Sequence, residues 1–195
     1  MENTLDLNDT ILLWVNQGWA NPVFDAFFYW ISEKYTFSFP LLALIWITLG
    51  LKFGKKGWLL GGLMILVTAT GDAFGNALKH YFQHPRPCLL LFDVIRMPYR
   101  ESTQCLSSTT GMPSNHALNF FATFCFISFF IRVRWVIITS ILLSTLVAIS
   151  RVYLALHYPG QILAGAFIGC IYGLSIAWLC HYFFKQHLHL VTKNE

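Results

Sequence analysis

The sequence predicts an all-α fold, a polytopic membrane bundle of about five transmembrane helices preceded by interfacial helices, and three observations carry that prediction. First, the 195 residues are 56% hydrophobic and only 11% charged, about half the charge of a typical soluble domain. Second, the apolar residues gather into five windows, each close to the roughly 20 residues of helix that a bilayer requires. Third, the Lys and Arg clusters between the windows all fall on one side.

The windows are Tyr35–Leu51, Trp58–Leu78, Ala117–Ile131, Trp135–Ile149 and Ile162–Phe184. Irregular backbone cannot face lipid, so each is expected to be helical. The third and fourth are short and are expected to begin or end in the interface. Ahead of them, Leu7–Lys34 mixes Trp14, Trp19 and Trp30 with Asn, Gln and Asp, and Asn21-Pro22 divides it. Two amphipathic interfacial helices are expected there, a sixth span being the alternative. The start, "MENTLDLNDT", is acidic and polar, the reverse of a basic signal-peptide n-region, so the spans are expected to direct insertion. One domain is expected over residues 1–195, with 1–34 interfacial and the chemistry confined to 79–161.

Orientation follows from charge. Lys52, Lys55 and Lys56 join the first two windows, Arg132 and Arg134 join the third and fourth, and Lys185 and Lys193 follow the fifth. The positive-inside rule makes that side cytoplasmic. The long loop Lys79–His116 and the turn Arg151–Gln161 then lie outside. Lys79, Arg86, Arg96 and Arg100 stand on the side that disfavours them, and anion binding is a reason for cations there. Cys125, Cys170 and Cys180 fall within spans as small apolar residues. Cys88 and Cys105 share the outer loop and can form a disulfide if that side is oxidising, two free thiols being the alternative. The C-terminal "KQHLHLVTKNE" reads as a polar cytoplasmic tail.

Three polar stretches face outward. In "DAFGNALKHYFQHPRP", Asp72, Asn76 and Lys79 fall within about 60° of one another on a helix, and Arg86 follows once Pro85 has ended it. Ionisable residues at membrane depth point to function. In "GMPSNHALNFF", Pro113 and Ser114 directly precede an apolar run, so Ser114 reads as a helix N-cap. The N–H groups of Asn115, His116 and Ala117 would then open a helix whose positive dipole end suits an anion. His116 has no structural duty there and suits a proton donor. In "SRVYLALHYPGQ", Pro159 opens the last helix, His157 lies just outside it, and Arg151 supplies a permanently charged fork for phosphate oxygens. Together these place cations and two histidines on one face, a pattern for phosphoryl transfer. No metal or other cofactor is expected, since Lys79, Arg86 and Arg151 supply the positive charge and no acidic cluster accompanies them.

These stretches resemble the three motifs of the type 2 phosphatidic acid phosphatase and haloperoxidase superfamily. The motifs run Lys, six residues, Arg-Pro; then Pro-Ser-x-His; then Ser-Arg, five residues, His, three residues, Asp. Order and spacing agree over Lys79–Gln161. The resemblance implies that His157 is the nucleophile, forming a phosphohistidine, and that His116 is the general acid. It implies that Lys79, Arg86 and Arg151 bind the phosphoryl oxygens, helped by Ser114 and the backbone N–H of Asn115. Asp72 and Asn76 would orient Lys79. Gln161 departs from the pattern, which has a carboxylate at that position. An amide oxygen can still accept a hydrogen bond from the imidazole but brings no charge; alternatively Gln161 caps the backbone at Tyr158.

The expected partners are the bilayer and a membrane lipid phosphate, with no nucleic acid; the sequence does not give an oligomeric state. The resemblance points to a bacterial inner-membrane phosphatase whose site faces the exterior, with undecaprenyl diphosphate the leading substrate. Lipid A, phosphatidylglycerol phosphate and phosphatidate are alternatives, as is transfer of the phosphoryl group to an acceptor lipid. A non-catalytic binding or transport protein is a third reading, resting on Gln161 alone. Arg96 and Arg100 are candidates for a second phosphate, or else are loop charges beside Asp93 and Glu101.

Overall fold

In the computed structural model, which describes residues 6–99 and 110–188, the segment before the first span forms α1 (Leu7–Gly18) and α2 (Pro22–Ser32). Asp6 and Asp9 close a capping box on α1, while Asn21 caps α2 with Pro22 in its first turn. At 12 and 11 residues neither helix crosses a bilayer. Each has two faces: Leu12, Val15, Phe28 and Ile31 are buried, while Leu7, Trp14, Val23 and Trp30 are exposed. Both are therefore interfacial, and the segment supplies no sixth span.

A π-helical turn, Lys34–Ser38, leads into α3 (Phe39–Phe82). Its hydrogen bonding is nearly continuous, but at Gly54 (φ 60°, ψ −138°) the chain folds back. Residues 39–53 and 55–82 thus form the first two spans as an antiparallel pair. Only glycine takes that backbone conformation cheaply. The two arms also touch through missing side chains, for a Cβ on Gly57 would lie 1.8 Å from the Leu49 carbonyl oxygen. The remaining helices are α4 (Pro87–Leu90) in the outer loop, then α5 (Asn115–Phe130), α6 (Arg134–Tyr153) and α7 (Pro159–Leu188). Among the described residues Lys34–Phe82, Arg134–Tyr153 and Pro159–Phe183 are long and apolar enough to cross a membrane and Asn115–Phe130 is a shorter apolar helix; with α3 folded at Gly54, these segments correspond to the five apolar windows.

Helices in lipid gain little from hydrophobic association and rely on close backbone approach and interhelical hydrogen bonds. The α5–α7 pair shows the first. A Cβ on Gly165, Gly169 or Gly173 would stand 2.6, 2.4 or 2.2 Å from the carbonyl oxygens of Ser114, Leu118 and Ala122. The core divides into two clusters. An outer one joins α1 and α2 to the 152–162 region through Leu12, Phe28, Tyr153 and Leu154. An inner one joins α3, α5 and α7 through Leu60, Met64, Phe126 and Ala177. Lys52, Lys55, Lys56, Arg132 and Arg134 lie at the inner end, opposite the three polar motifs. Cys125, Cys170 and Cys180 are free thiols, the first two with sulfurs 3.5 Å apart. Cys88 is disulfide-bonded; its expected partner Cys105, like Arg100 and the tail from His189, lies outside the described residues.

Candidate active site

At the outer end the three motifs are tied to one another by hydrogen bonds to backbone carbonyls. The Gly111 N–H donates to the His84 carbonyl (2.7 Å), the Arg86 Nε–H to the Thr110 carbonyl (3.2 Å), and the Ser114 N–H to the Gln161 carbonyl (3.1 Å). Pro85 and Thr110 form an isolated β-bridge. Loops far apart in sequence thereby become one rigid floor. His157 is presented on it by a tight turn after α6, in which Ala155 adopts φ 52° and the Leu156 and His157 N–H groups both return to the Arg151 carbonyl. Residues 151–158 are all buried, Arg151 and His157 included.

Gln161 explains how His157 is oriented. Its Oε1 accepts from the Tyr158 N–H (3.3 Å) and lies 3.1 Å from His157 Nδ1, while its Nε2 donates to the Pro85 carbonyl (2.7 Å) and lies 2.9 Å from His84 Nδ1. A backbone N–H only donates and a carbonyl only accepts, so these two neighbours fix which end of the amide faces which way. With Oε1 facing it, His157 Nδ1 must carry the proton, which leaves the Nε2 lone pair for chemistry. Both sequence readings of Gln161 hold together, as one atom caps Tyr158 and orients His157. Burial, and then the positive charges of Arg86, Arg151 and Lys79, hold the His157 pKa well below the ordinary histidine range. The imidazole is therefore neutral at neutral pH.

The other predicted residues gather around it. The charges of Lys79, Arg86 and Arg151 act on one another and on His157, and those of Arg151 and His157 act on His116. Arg151 donates to Ser32 Oγ, and His116 Nε2 donates to the Ser32 carbonyl (3.1 Å), so the last residue of α2 holds both. His116 thus has a structural tie, and its Nδ1 remains for proton transfer. Ser114 occupies the N-cap position of α5 but makes no capping bond. Its Oγ is fully buried without a partner, as suits a hydroxyl awaiting an oxyanion. Among the described residues no three His, Cys, Asp or Glu side chains form a metal cluster.

Two expectations need correction. Asp72 and Asn76 do not hydrogen-bond Lys79. They hold α5 instead, since Asn115 Nδ2 donates to Asp72 Oδ1 (3.1 Å) and Asn76 Oδ1 (2.8 Å), and Asn119 Nδ2 donates to Asp72 Oδ1 (3.1 Å). Gly75 permits this, as a Cβ there would meet Asn115 Oδ1 at 2.5 Å. Asp72 reaches Lys79 only through its field, and Asn115 keeps only its backbone N–H for an anion. Likewise Arg96, a candidate for a second phosphate or else a loop charge, is already engaged within the protein. It forms an ion pair with Asp25 (3.0 Å), and the buried Asn16 side chain brackets its backbone at 2.8 Å on both the N–H and the carbonyl.

Sequence reasoning missed Ser32, His84 and the α1 contacts. Asn8 Oδ1 accepts from the Gly160 N–H (3.0 Å), beside the turn that carries His157. The available signal was the density of Asn, Asp and Ser on two otherwise apolar interfacial helices.

The chain is similar to proteins of known family and fold. The sequence pattern of the PAP2 superfamily matches residues 57–187. A lipid A 4'-phosphatase of Porphyromonas gingivalis is 26% identical over 192 residues, covering 97% of this chain and 76% of the relative. A phosphatidylglycerophosphatase B of Bacillus subtilis is 27% identical over 166 residues, covering 80% and 73%. In fold, the crystal structure of Aquifex aeolicus LpxE superposes with a TM-score of 0.68 at 23% identity, covering 92% of this chain and 99% of that one. The transmembrane PAP2 type phosphatidylglycerolphosphate phosphatase from Bacillus subtilis gives 0.67 at 22%, covering 93% and 88%. With the family pattern spanning all three motifs, the chain belongs to the PAP2 superfamily and is a multi-pass membrane lipid phosphatase.

Proposed function

We propose that the protein hydrolyses a lipid phosphate or diphosphate at the non-cytoplasmic face of a bacterial inner membrane, through a phosphohistidine on His157. The neutral His157, its Nδ1–H held by Gln161 and its Nε2 free beside Lys79, Arg86 and Arg151, is the observation that carries this reading. Nε2 attacks phosphorus as the bond to the lipid oxygen breaks. His116, which takes up a proton as the anionic phosphate arrives beside it, gives its Nδ1 proton to that departing oxygen. Water then attacks the phosphohistidine, His116 takes the water proton, the P–N bond breaks and phosphate leaves. The three cations, the Ser114 hydroxyl and the first N–H groups of α5 stabilise the equatorial oxygens throughout.

A lipid substrate is supported by a cavity of about 580 Å³ between the two arms of α3 and α5. Its walls are apolar, and it runs from His116 down past Leu42 and Trp46. A hydrocarbon chain can lie there while its headgroup meets His116. Undecaprenyl diphosphate is kept among the candidate substrates, since a dolichyldiphosphatase of Rhinolophus ferrumequinum is 30% identical over 135 residues, covering 61% of this chain and 49% of that one. The bacterial relatives add lipid A and phosphatidylglycerol phosphate to the substrates worth assaying.

The test is phosphate release by detergent-purified protein from each of these lipids, comparing wild type with His157→Ala. Release that falls by at least about a thousandfold in the variant supports the proposal. Release that survives the substitution removes His157 as nucleophile.

A further inference from the structure

The head of the apolar cavity carries polar groups that the reaction above does not use. Lys34 and Ser38 are the first and last residues of the π-helical turn between α2 and α3, and both line the cavity beside His116 and Asn119. π-helical turns are rare and concentrate at functional sites. Ser38 is 8% exposed, and its Oγ has no hydrogen-bond partner. Asn119 Oδ1 is likewise buried and unpartnered. Among the described residues Lys34 makes no ion pair, yet its charge acts on both His116 and Lys79. Asp72 lines the same cavity, but its carboxylate already accepts from Asn115 and Asn119. An unpaired ammonium, a buried idle hydroxyl and an open apolar channel thus meet at one point.

The position of that point gives it a meaning. On the reading of the site given above, His116 meets the oxygen of the departing half of the substrate. The cavity that opens from His116 therefore receives the departing half, with its hydrocarbon below and the atoms next to the broken bond above. We infer that Lys34 and Ser38 form a subsite for a second anionic group, carried on the departing half of the lipid. A lipid diphosphate leaves as a lipid monophosphate, and phosphatidylglycerol phosphate leaves as a phosphodiester. Each places a negative charge near the broken bond. Phosphatidate leaves as an uncharged diacylglycerol and gives Lys34 nothing to bind. The subsite makes the protein discriminate by the charge of the leaving group, a role that Arg96, locked to Asp25, does not fill.

The experiment measures kcat/KM of the full chain in mixed micelles for a polyprenyl diphosphate, phosphatidylglycerol phosphate and phosphatidate, in wild type, Lys34→Gln and Lys34→Arg. The same three lipids are titrated against His157→Ala protein, which reads the preference as affinity without turnover. A charge-assisted contact predicts that Lys34→Gln loses about tenfold or more on the two lipids with a charged leaving group, relative to phosphatidate. Lys34→Arg should retain most of that preference. An equal loss on all three lipids, or none, overturns the inference, because Lys34 then serves the transferred phosphoryl group or nothing. Absence of turnover in wild type would sink the proposed function, while the binding series would still decide the subsite. Melting temperature in detergent guards against a folding defect, and Ser38→Ala provides a second, smaller probe of the same preference.

Discussion

The two ends of this bundle share α5 and α7 but are built on opposite principles. At the inner end Leu60, Met64, Phe126 and Ala177 pack around close helix crossings, and the charged residues Lys52, Lys55, Lys56, Arg132 and Arg134 stand at the boundary. At the outer end buried polar groups outnumber what a core needs: Ser32, Ser114, Asn115, Arg151, His157 and Gln161. Several outer struts are hydrogen bonds between segments remote in sequence, such as Gln161 Nε2 to Pro85 or His116 Nε2 to Ser32. Packing is tolerant of exchange among apolar side chains of similar volume. A hydrogen-bond floor is not, because removing one partner leaves another buried and unsatisfied. The inner end therefore holds the bundle together, and the outer end fixes where individual atoms sit.

The largest expected effect comes from the crossing that serves both ends. In Gly169→Leu the new Cβ would fall 2.4 Å from the Leu118 carbonyl oxygen and 3.0 Å from the Leu118 carbonyl carbon and Cα, backbone that cannot yield. Loss of monodisperse protein on size-exclusion chromatography is expected, together with all activity. Gly62→Leu, where nothing stands within 4 Å, should purify and turn over like wild type. If both behave alike, close approach is not what joins α5 to α7.

An outer-end change should reduce rate without dissolving the fold. Gln161→Glu keeps the length of the side chain but sets an anionic oxygen against the Pro85 carbonyl, where Nε2 now donates. A fall in kcat of about ten- to a hundredfold is expected, as for one disturbed catalytic hydrogen bond. The pH dependence carries the sharper reading. Wild-type His157 has a lowered pKa, so the acid limb of kcat/KM, where the imidazole becomes charged, should lie below the ordinary histidine value. A carboxylate beside Nδ1 favours the imidazolium and moves that acid limb upward. A Gln161→Glu protein that is faster than wild type, with the limb moved upward, would show that charge and not the amide bridge is what this site lacks.

The smallest effect should fall on the clamp between the outer loop and α2. Arg96→Ala removes the ion pair to Asp25, in which the arginine side chain is 40% exposed. Exposed pairs contribute at most about 1 kcal/mol. The expected outcome is a melting temperature lower by a few degrees, about 2–4 °C, and near-normal release of phosphate. A large loss of activity confined to lipids with two phosphates would instead return Arg96 to substrate binding.

Much of the chemistry was legible because it is local. Lys79 and Arg86, Ser114 and His116, and Arg151 and His157 stand at spacings that a helix end or a turn fixes without help from the rest of the chain. The five spans were legible because lipid admits only helix, so apolar length alone defines them. The roles of Asp72 and Asn76 were not. Helical periodicity correctly put them on one face with Lys79 but could not say that α5 would bring Asn115 and Asn119 against that face and take their hydrogen bonds. Arg96 failed for the same reason, its partner Asp25 being 71 residues away.

Gln161 marks the boundary most clearly. By itself the sequence determined that an amide stands four residues after His157, and hence that no charge could orient the imidazole. Only the tertiary structure decided that the loss is covered. A donor-only N–H at Tyr158 and an acceptor-only carbonyl at Pro85 hold the amide from its two ends, and Pro85 reaches it from 76 residues away. Local spacing follows from covalent geometry and can be read from the chain; which way an amide faces depends on which groups packing brings to each side of it.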